Sequence, residues 1–141
     1  MSHGHQRTLR VLVANGQADG QAEWTEVTAG EVPATRFAAP DLQQAQRIRR
    51  TLPGVAVLEL TVVVADDFRS ARRQLTEQGL ETPDSLSYAG TLDGLAGLVA
   101  DIFVAGVADG VALIPGAPEQ DSRALGEDIV ARVASRLQTA A

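Results

Sequence analysis

Residues Tyr88 to Pro115, YAGTLDGLAGLVADIFVAGVADGVALIP, write out a helix followed by a strand. Thr91 is placed to cap the helix, its hydroxyl accepting from a first-turn amide, and Asp93 suits the positive end of the helix dipole. Leu92, Leu95, Leu98, Val99, Ile102 and Phe103 follow the three–four spacing of one buried face. Gly106 stands where a helix closes on a left-handed residue. Asp109-Gly110 turns the chain, and Val111-Ala112-Leu113-Ile114 is an unbroken apolar run ended by Pro115, the pattern of a parallel strand covered on both faces. Gly94 and Gly97 each cost the helix about 1 kcal/mol against alanine, a loss that makes sense where the helix approaches a neighbouring element closely.

Working outward, the same strand–helix alternation recurs. Thr8 to Ala14 reads as a strand and Asn15 to Gly20 as a turn. Gln21 to Ala29 reads as a short helix carrying Trp24, closed by Gly30. Val32 to Phe37 is a weaker strand because Pro33 cannot donate to a ladder. Leu42 to Leu52 is a helix with Leu42, Ala45, Ile48 and Leu52 inward, its arginines Arg47, Arg49 and Arg50 on a solvated face. Val55 to Ala65 is the strongest strand, with Glu59 expected as a paired or rim carboxylate. Asp66 to Gln78 is a helix with Phe68, Ala71 and Leu75 inward, followed by a loop from Leu80 to Ser87. A last helix, Asp121 to Gln138, buries Leu125, Ile129, Val130, Val133 and Leu137. Repeated strand–helix units predict an α/β fold, a parallel four-stranded sheet joined by right-handed crossovers. Met1 to Arg7 reads as a flexible leader and residues 8–141 as a single domain.

Composition removes several functions. A net charge of -6 opposes general nucleic-acid binding, which needs basic density to displace counterions. With no cysteine, disulfides, thiolate metal sites and cysteine nucleophiles are excluded. All 12 basic residues are arginines, so no Schiff-base lysine, phosphate-loop lysine or receiver-type lysine exists, despite the Asp66-Asp67 pair. The histidines, His3 and His5, both lie in the leader, so no Ser-His-Asp device and no metal site is expected. No stretch matches a signal peptide or an uncharged membrane span, and a cytoplasmic protein is the expectation. Any chemistry must come from a bound cofactor, from carboxylates or from a partner; no catalytic residue stands out. A glycine-bearing turn between a strand and a helix, as at Asn15–Gly20, can offer amides to an anion, although such turns are common in α/β proteins.

The last third resembles the C-terminal end of the luciferase-like monooxygenases, flavin- or deazaflavin-dependent (β/α)8 barrels. Tyr88-Ala89-Gly90-Thr91, the helix to Gly106, Ala108-Asp109-Gly110-Val111 to Pro115 and the closing helix carry this resemblance. Looser matches lie upstream, at Leu60–Asp66 with Ala71-Arg72, at Thr35–Asp41, and at Val11–Gly20, which is similar to the strand and loop that hold the flavin phosphate. The resemblance implies half of a TIM barrel, since a complete barrel takes about 250 residues. It also implies binding of FMN or a deazaflavin through Asn15, Gly16, Gln17 and Gly20. Two departures stand beside this. The half that would complete the flavin pocket has no counterpart here, and Ala18 and Asp19 occupy places where that family offers a hydroxyl between glycines.

Two readings follow. One is a flavin-binding oxidoreductase-type module in which the cofactor carries the redox chemistry. The other is a non-catalytic half-barrel, an accessory or regulatory subunit working through association, because an opened barrel leaves two strand edges. A homodimer, or another subunit, is the expected cover for those edges. A flavodoxin-like or receiver-like domain fits the alternation but lacks the lysine.

Overall fold

The computed structural model describes residues 8–18, 21–30, 32–79, 84–116 and 121–139; the leader, with His3 and His5, lies outside them. From Ala34 on, strand and helix alternate, and every element but β5 is one the sequence predicts: β3 (Ala34–Phe37), α1 (Leu42–Thr51), β4 (Val55–Val64), α2 (Phe68–Glu77), β5 (Leu86–Gly90), α3 (Leu92–Val104), β6 (Gly110–Pro115) and α4 (Ser122–Thr139). Each helix starts on a side-chain cap that accepts from the amide three residues on: Asp41 from Gln44 at 2.8 Å, Asp67 from Ser70 at 2.7 Å, Thr91 from Gly94 at 3.1 Å and Asp121 from Ala124 at 3.1 Å. These bonds satisfy amides that have no partner inside the helix. Gly106 closes α3 in the left-handed region, at φ 75°.

The start of the chain corrects two expectations. Asn15–Ala18 belongs to β1 (Arg10–Ala18), and Gln21–Glu26 is a strand, β2, not a helix. The two pair antiparallel, from Leu12 with Glu26 to Ala18 with Gln21, with an irregular register between Asn15 and Ala18. The sheet therefore has six strands and is mixed, not four-stranded and parallel, in the order β2-β1-β6-β4-β3 with β5 also on β4. The physical reason is cooperative pairing: β2 continues a ladder along β1, and this outweighs the helix preference of Gln21, Ala22 and Glu23. β5, expected as loop up to Ser87, pairs in parallel with β4 from Leu60–Leu86 to Val64–Gly90.

β4 organises the sheet. β6 lies along one side of it, from Leu58 to Val62. The other side is shared end to end by β3, against Val55–Leu58, and β5, against Leu60–Val64. Alternate residues of the strands build two faces. One face presents Val11, Val13, Leu58, Leu60, Val62, Val111 and Leu113 to Leu95, Val99 and Ile102 of α3 and to Leu125, Ile129 and Val133 of α4. The opposite face presents Val63 and Ala89 to Ala71 and Leu75 of α2. Two helix-start residues expected inside are exposed instead, Leu42 at 38% and Phe68 at 59%. Of the α3 glycines expected to mark a close approach, Gly94 does, since a Cβ there would lie 2.3 Å from the Tyr88 hydroxyl, whereas one on Gly97 would make only ordinary contact with the Arg136 guanidinium at 3.4 Å.

A largely buried ion pair ties the two strands of the hairpin together, and Thr28 joins it from the segment after them. Arg10, 4% exposed, donates through Nε and Nη2 to both carboxylate oxygens of Glu26. Thr28 Oγ1 donates to Glu26 Oε2 at 2.5 Å and accepts from the Val11 amide at 3.1 Å. The hydrogen bond from Arg10 holds the Glu26 carboxyl below its ordinary value of 4.5, against the desolvation that would raise it. Between that depressed value and 4.5 the unfolded chain binds the proton and the folded chain does not, so stability rises with pH there. The contribution is complete above the unfolded value and is lost as pH falls through the folded one. Glu26→Gln is expected to cost about 2 kcal/mol at neutral pH. It should also flatten the acid limb of stability below the ordinary glutamate range, as read by urea melts across pH 2–7.

Candidate functional site

The concave face of the sheet gathers residues from strands far apart in the chain. Register places Trp24 of β2, Ala14 of β1, Ala112 of β6, Glu59 and Val57 of β4 and Arg36 of β3 on this one face. β2 and β3 are opposite sides of the sheet, with β1, β6 and β4 between them. In a flat sheet those two strands would stand about 19 Å apart, four spacings of ~4.8 Å. Yet the Arg36 guanidinium sits 4.4 Å above the centroid of the Trp24 ring. The sheet is therefore curled toward this face, a half-barrel in curvature. Arg36 Nη1 also donates to Glu59 Oε2 at 2.8 Å, so the paired state expected of Glu59 is observed.

Trp24, Arg36 and Glu59 thus form a clasp over the middle of the concave floor. Below it Val57 and Ala112 are fully buried, although neither belongs to the cores under the helices. The guanidinium is held between a ring face and a carboxylate, a cation–π contact reinforced by an ion pair. Within the clasp Glu59 accepts from Arg36, whose guanidinium lies over the Trp24 ring.

The residues expected to hold a flavin phosphate fall as follows. Asn15, Gly16 and Gln17 lie in the part of β1 beyond Val13, the last residue paired with β6, in the arm of the hairpin that pairs with β2. Gly20 lies outside the described residues. No helix follows β1; its place is taken by β2 and by an extended segment whose Val27 amide donates to Val11 O at 2.9 Å. The strand–loop–helix unit that would aim helix amides at a phosphate is absent from the described residues of this hairpin.

Other charged candidates are structural. Asp67 caps α2, and Ser70 lowers its pKa through hydrogen bonds from its amide and hydroxyl. Arg49, expected on a solvated face, turns inward to Asp109 at 2.8 Å and to the carbonyls of Leu52 and Gly54. Arg47 and Arg50 are exposed, as expected. Among the described residues no group of three or more metal-ligating side chains stands together, and no helix is long and apolar enough to cross a membrane. Sequence reasoning missed the clasp because it assigned Trp24 to a helix. The signal was Asp19-Gly20: two residues separate the Ala18–Gln21 pair, and Asp-Gly is a preferred dipeptide for a two-residue hairpin connection.

No protein family matches this sequence, and no curated protein does.

Proposed function

We propose that this chain is a non-catalytic half-barrel that works by association, as an accessory or regulatory subunit. The observation that carries the reading is the open sheet. Among the described residues no strand lies outside β2 at one side, or outside β3 and β5 at the other. Unpaired strand edges invite a second chain. A second copy is the simplest cover, and β2 suits it: six residues without proline, whose antiparallel pairing with itself across a two-fold axis is self-complementary. The clasp supports the same reading, because it engages the polar groups of the concave face with one another.

A flavin-binding module related to the luciferase-like monooxygenases is the second reading. It draws on the resemblance at Tyr88–Pro115 and on the position of Asn15–Gln17 at the carboxyl end of β1, beyond its pairing with β6, the end at which α/β sheets receive ligands. Sedimentation equilibrium and FMN titration separate the two. A dimer at micromolar concentration with unchanged flavin fluorescence is the expected result. A monomer that quenches FMN saturably, with the effect lost in Gly16→Val, would replace association by the cofactor reading.

A further inference from the structure

The outer part of the hairpin is paired with itself and not with the neighbouring strand. β1 pairs with β6 from Arg10–Gly110 to Val13–Leu113, whereas β6 continues along β4 to Pro115. Pro115 has no N–H with which to extend a ladder. Beyond Val13, β1 and β2 stay together through the pairs Ala14–Trp24, Asn15–Glu23 and Ala18–Gln21, with the register irregular between Asn15 and Ala18. Ala14–Ala18 and Gln21–Trp24 thus form an arm rooted at Val13, on the last rung shared with β6. Trp24 stands in the first pair of that arm, and Arg36 reaches it from β3 at the far side of the sheet. Three small residues of the concave floor are shut away beneath, Val57 and Ala112 at 0% exposure and Ala14 at 3%. None of the three belongs to the cores under the helices.

We infer that this arm is a flap over the apolar floor of the concave face, latched by Trp24, Arg36 and Glu59, and that it opens without unfolding of the domain. The latch consists of one cation–π contact and one ion pair, and the side chains of Arg36 and Glu59 keep 39% and 24% of their exposure. Partly exposed ion pairs are weak because water and salt screen them. A single cation–π contact near the surface is weak as well. The floor adds one valine and two alanines, little beside the fully buried Leu58, Leu60, Leu95, Leu113 and Ile129 under the helices. What holds the arm is therefore small against what holds the helices to the sheet, and parts of a domain held in this way open locally, ahead of global unfolding. Opening parts the indole from the guanidinium and leaves the rungs between β1 and β6, and between β6 and β4, in place. The latch closes within one chain and operates whether or not two copies associate.

The test places a single thiol in a full chain that has no cysteine of its own. Ala112→Cys puts it on the floor, Ala14→Cys supplies a second floor position, and Ala96→Cys puts it in the core between α3 and the sheet. Each folded variant is labelled with an aromatic disulfide reagent. Floor thiols should react at least about tenfold more slowly than in the unfolded chain, yet faster than the core thiol. Their rate should depend little on urea, because opening exposes little surface. Arg36→Gln should speed floor labelling about tenfold and leave the core thiol unchanged, and Arg36→Lys, which keeps the cation, should restore most of the protection. Floor and core thiols that react at one rate with one urea dependence would overturn the inference, since the floor would then be reached only by unfolding. So would floor thiols as reactive as those of the unfolded chain, or floor protection indifferent to Arg36→Gln. Equal acceleration of both thiols by Arg36→Gln would make Arg36 a purely structural residue, and a floor rate that falls as protein concentration rises would assign the cover to a second copy; either result overturns the flap.

Discussion

Gly110→Ala is expected to remove the cooperative urea transition, or to lower stability by at least about 3 kcal/mol. Gly110 opens β6 directly beside Arg10 of β1. A Cβ there would lie 1.7 Å from the Arg10 carbonyl oxygen, 2.6 Å from its carbon and 2.9 Å from its nitrogen. These are backbone atoms of a central strand pair, so no rotamer change relieves the overlap. β1 would have to leave β6, taking with it the Arg10–Glu26–Thr28 lock. Gly97→Ala is the control, since its Cβ meets only the end of Arg136 at an ordinary 3.4 Å. That change should be neutral, or stabilising by up to about 1 kcal/mol through helix propensity.

Asp109→Ala is expected to cost about 3 kcal/mol, seen as a lower urea midpoint at unchanged slope. Asp109 joins three elements, α1, β4 and β1, at the amino edge of the parallel strands. Its Oδ2 accepts from Arg49 Nη2 of α1 at 2.8 Å and from the Ala56 amide of β4 at 2.9 Å. Its own amide donates to Ala56 O at 2.8 Å, and its carbonyl accepts from the Arg10 amide of β1 at 3.1 Å. Truncation leaves the Ala56 amide without its acceptor and the Arg49 guanidinium without its carboxylate, held only by the Leu52 and Gly54 carbonyls. Asp109→Asn, which keeps an acceptor and loses the charge, should cost about half as much. In the Arg49→Ala background the penalty for Asp109→Ala should shrink, since the cation it would strand is gone.

The elements most legible in the sequence were those in which period, cap and stop agree. For α3 the cap Thr91, the apolar stripe and Gly106 all specify one helix, and all three occupy the predicted places. α1, α2, α4, β4 and β6 follow within a residue or two for the same reason. β2 was illegible because Gln21, Ala22 and Glu23 favour a helix locally, and only pairing with β1 makes them a strand. β5 is five residues long and contains Ser87 and Gly90, too short and too weak in strand preference to declare itself without β4 beside it. The fate of Arg49 was hidden for another reason: its partner Asp109 is 60 residues away, and nothing in the α1 pattern distinguishes Arg49 from Arg47 or Arg50. The same holds for the clasp, whose three members come from three strands and meet only when the sheet curls.

That curl has an optical consequence. The chain contains a single tryptophan, and Trp24 is the residue on which the two sides of the sheet meet. Its indole emission therefore reports curvature rather than global order alone. Straightening of the sheet would withdraw the guanidinium from the ring while leaving every helix intact, and unfolding would change both together. A fluorimeter and a far-ultraviolet spectrum, followed side by side, would thus distinguish a sheet that opens from a domain that melts, with no label added to the protein.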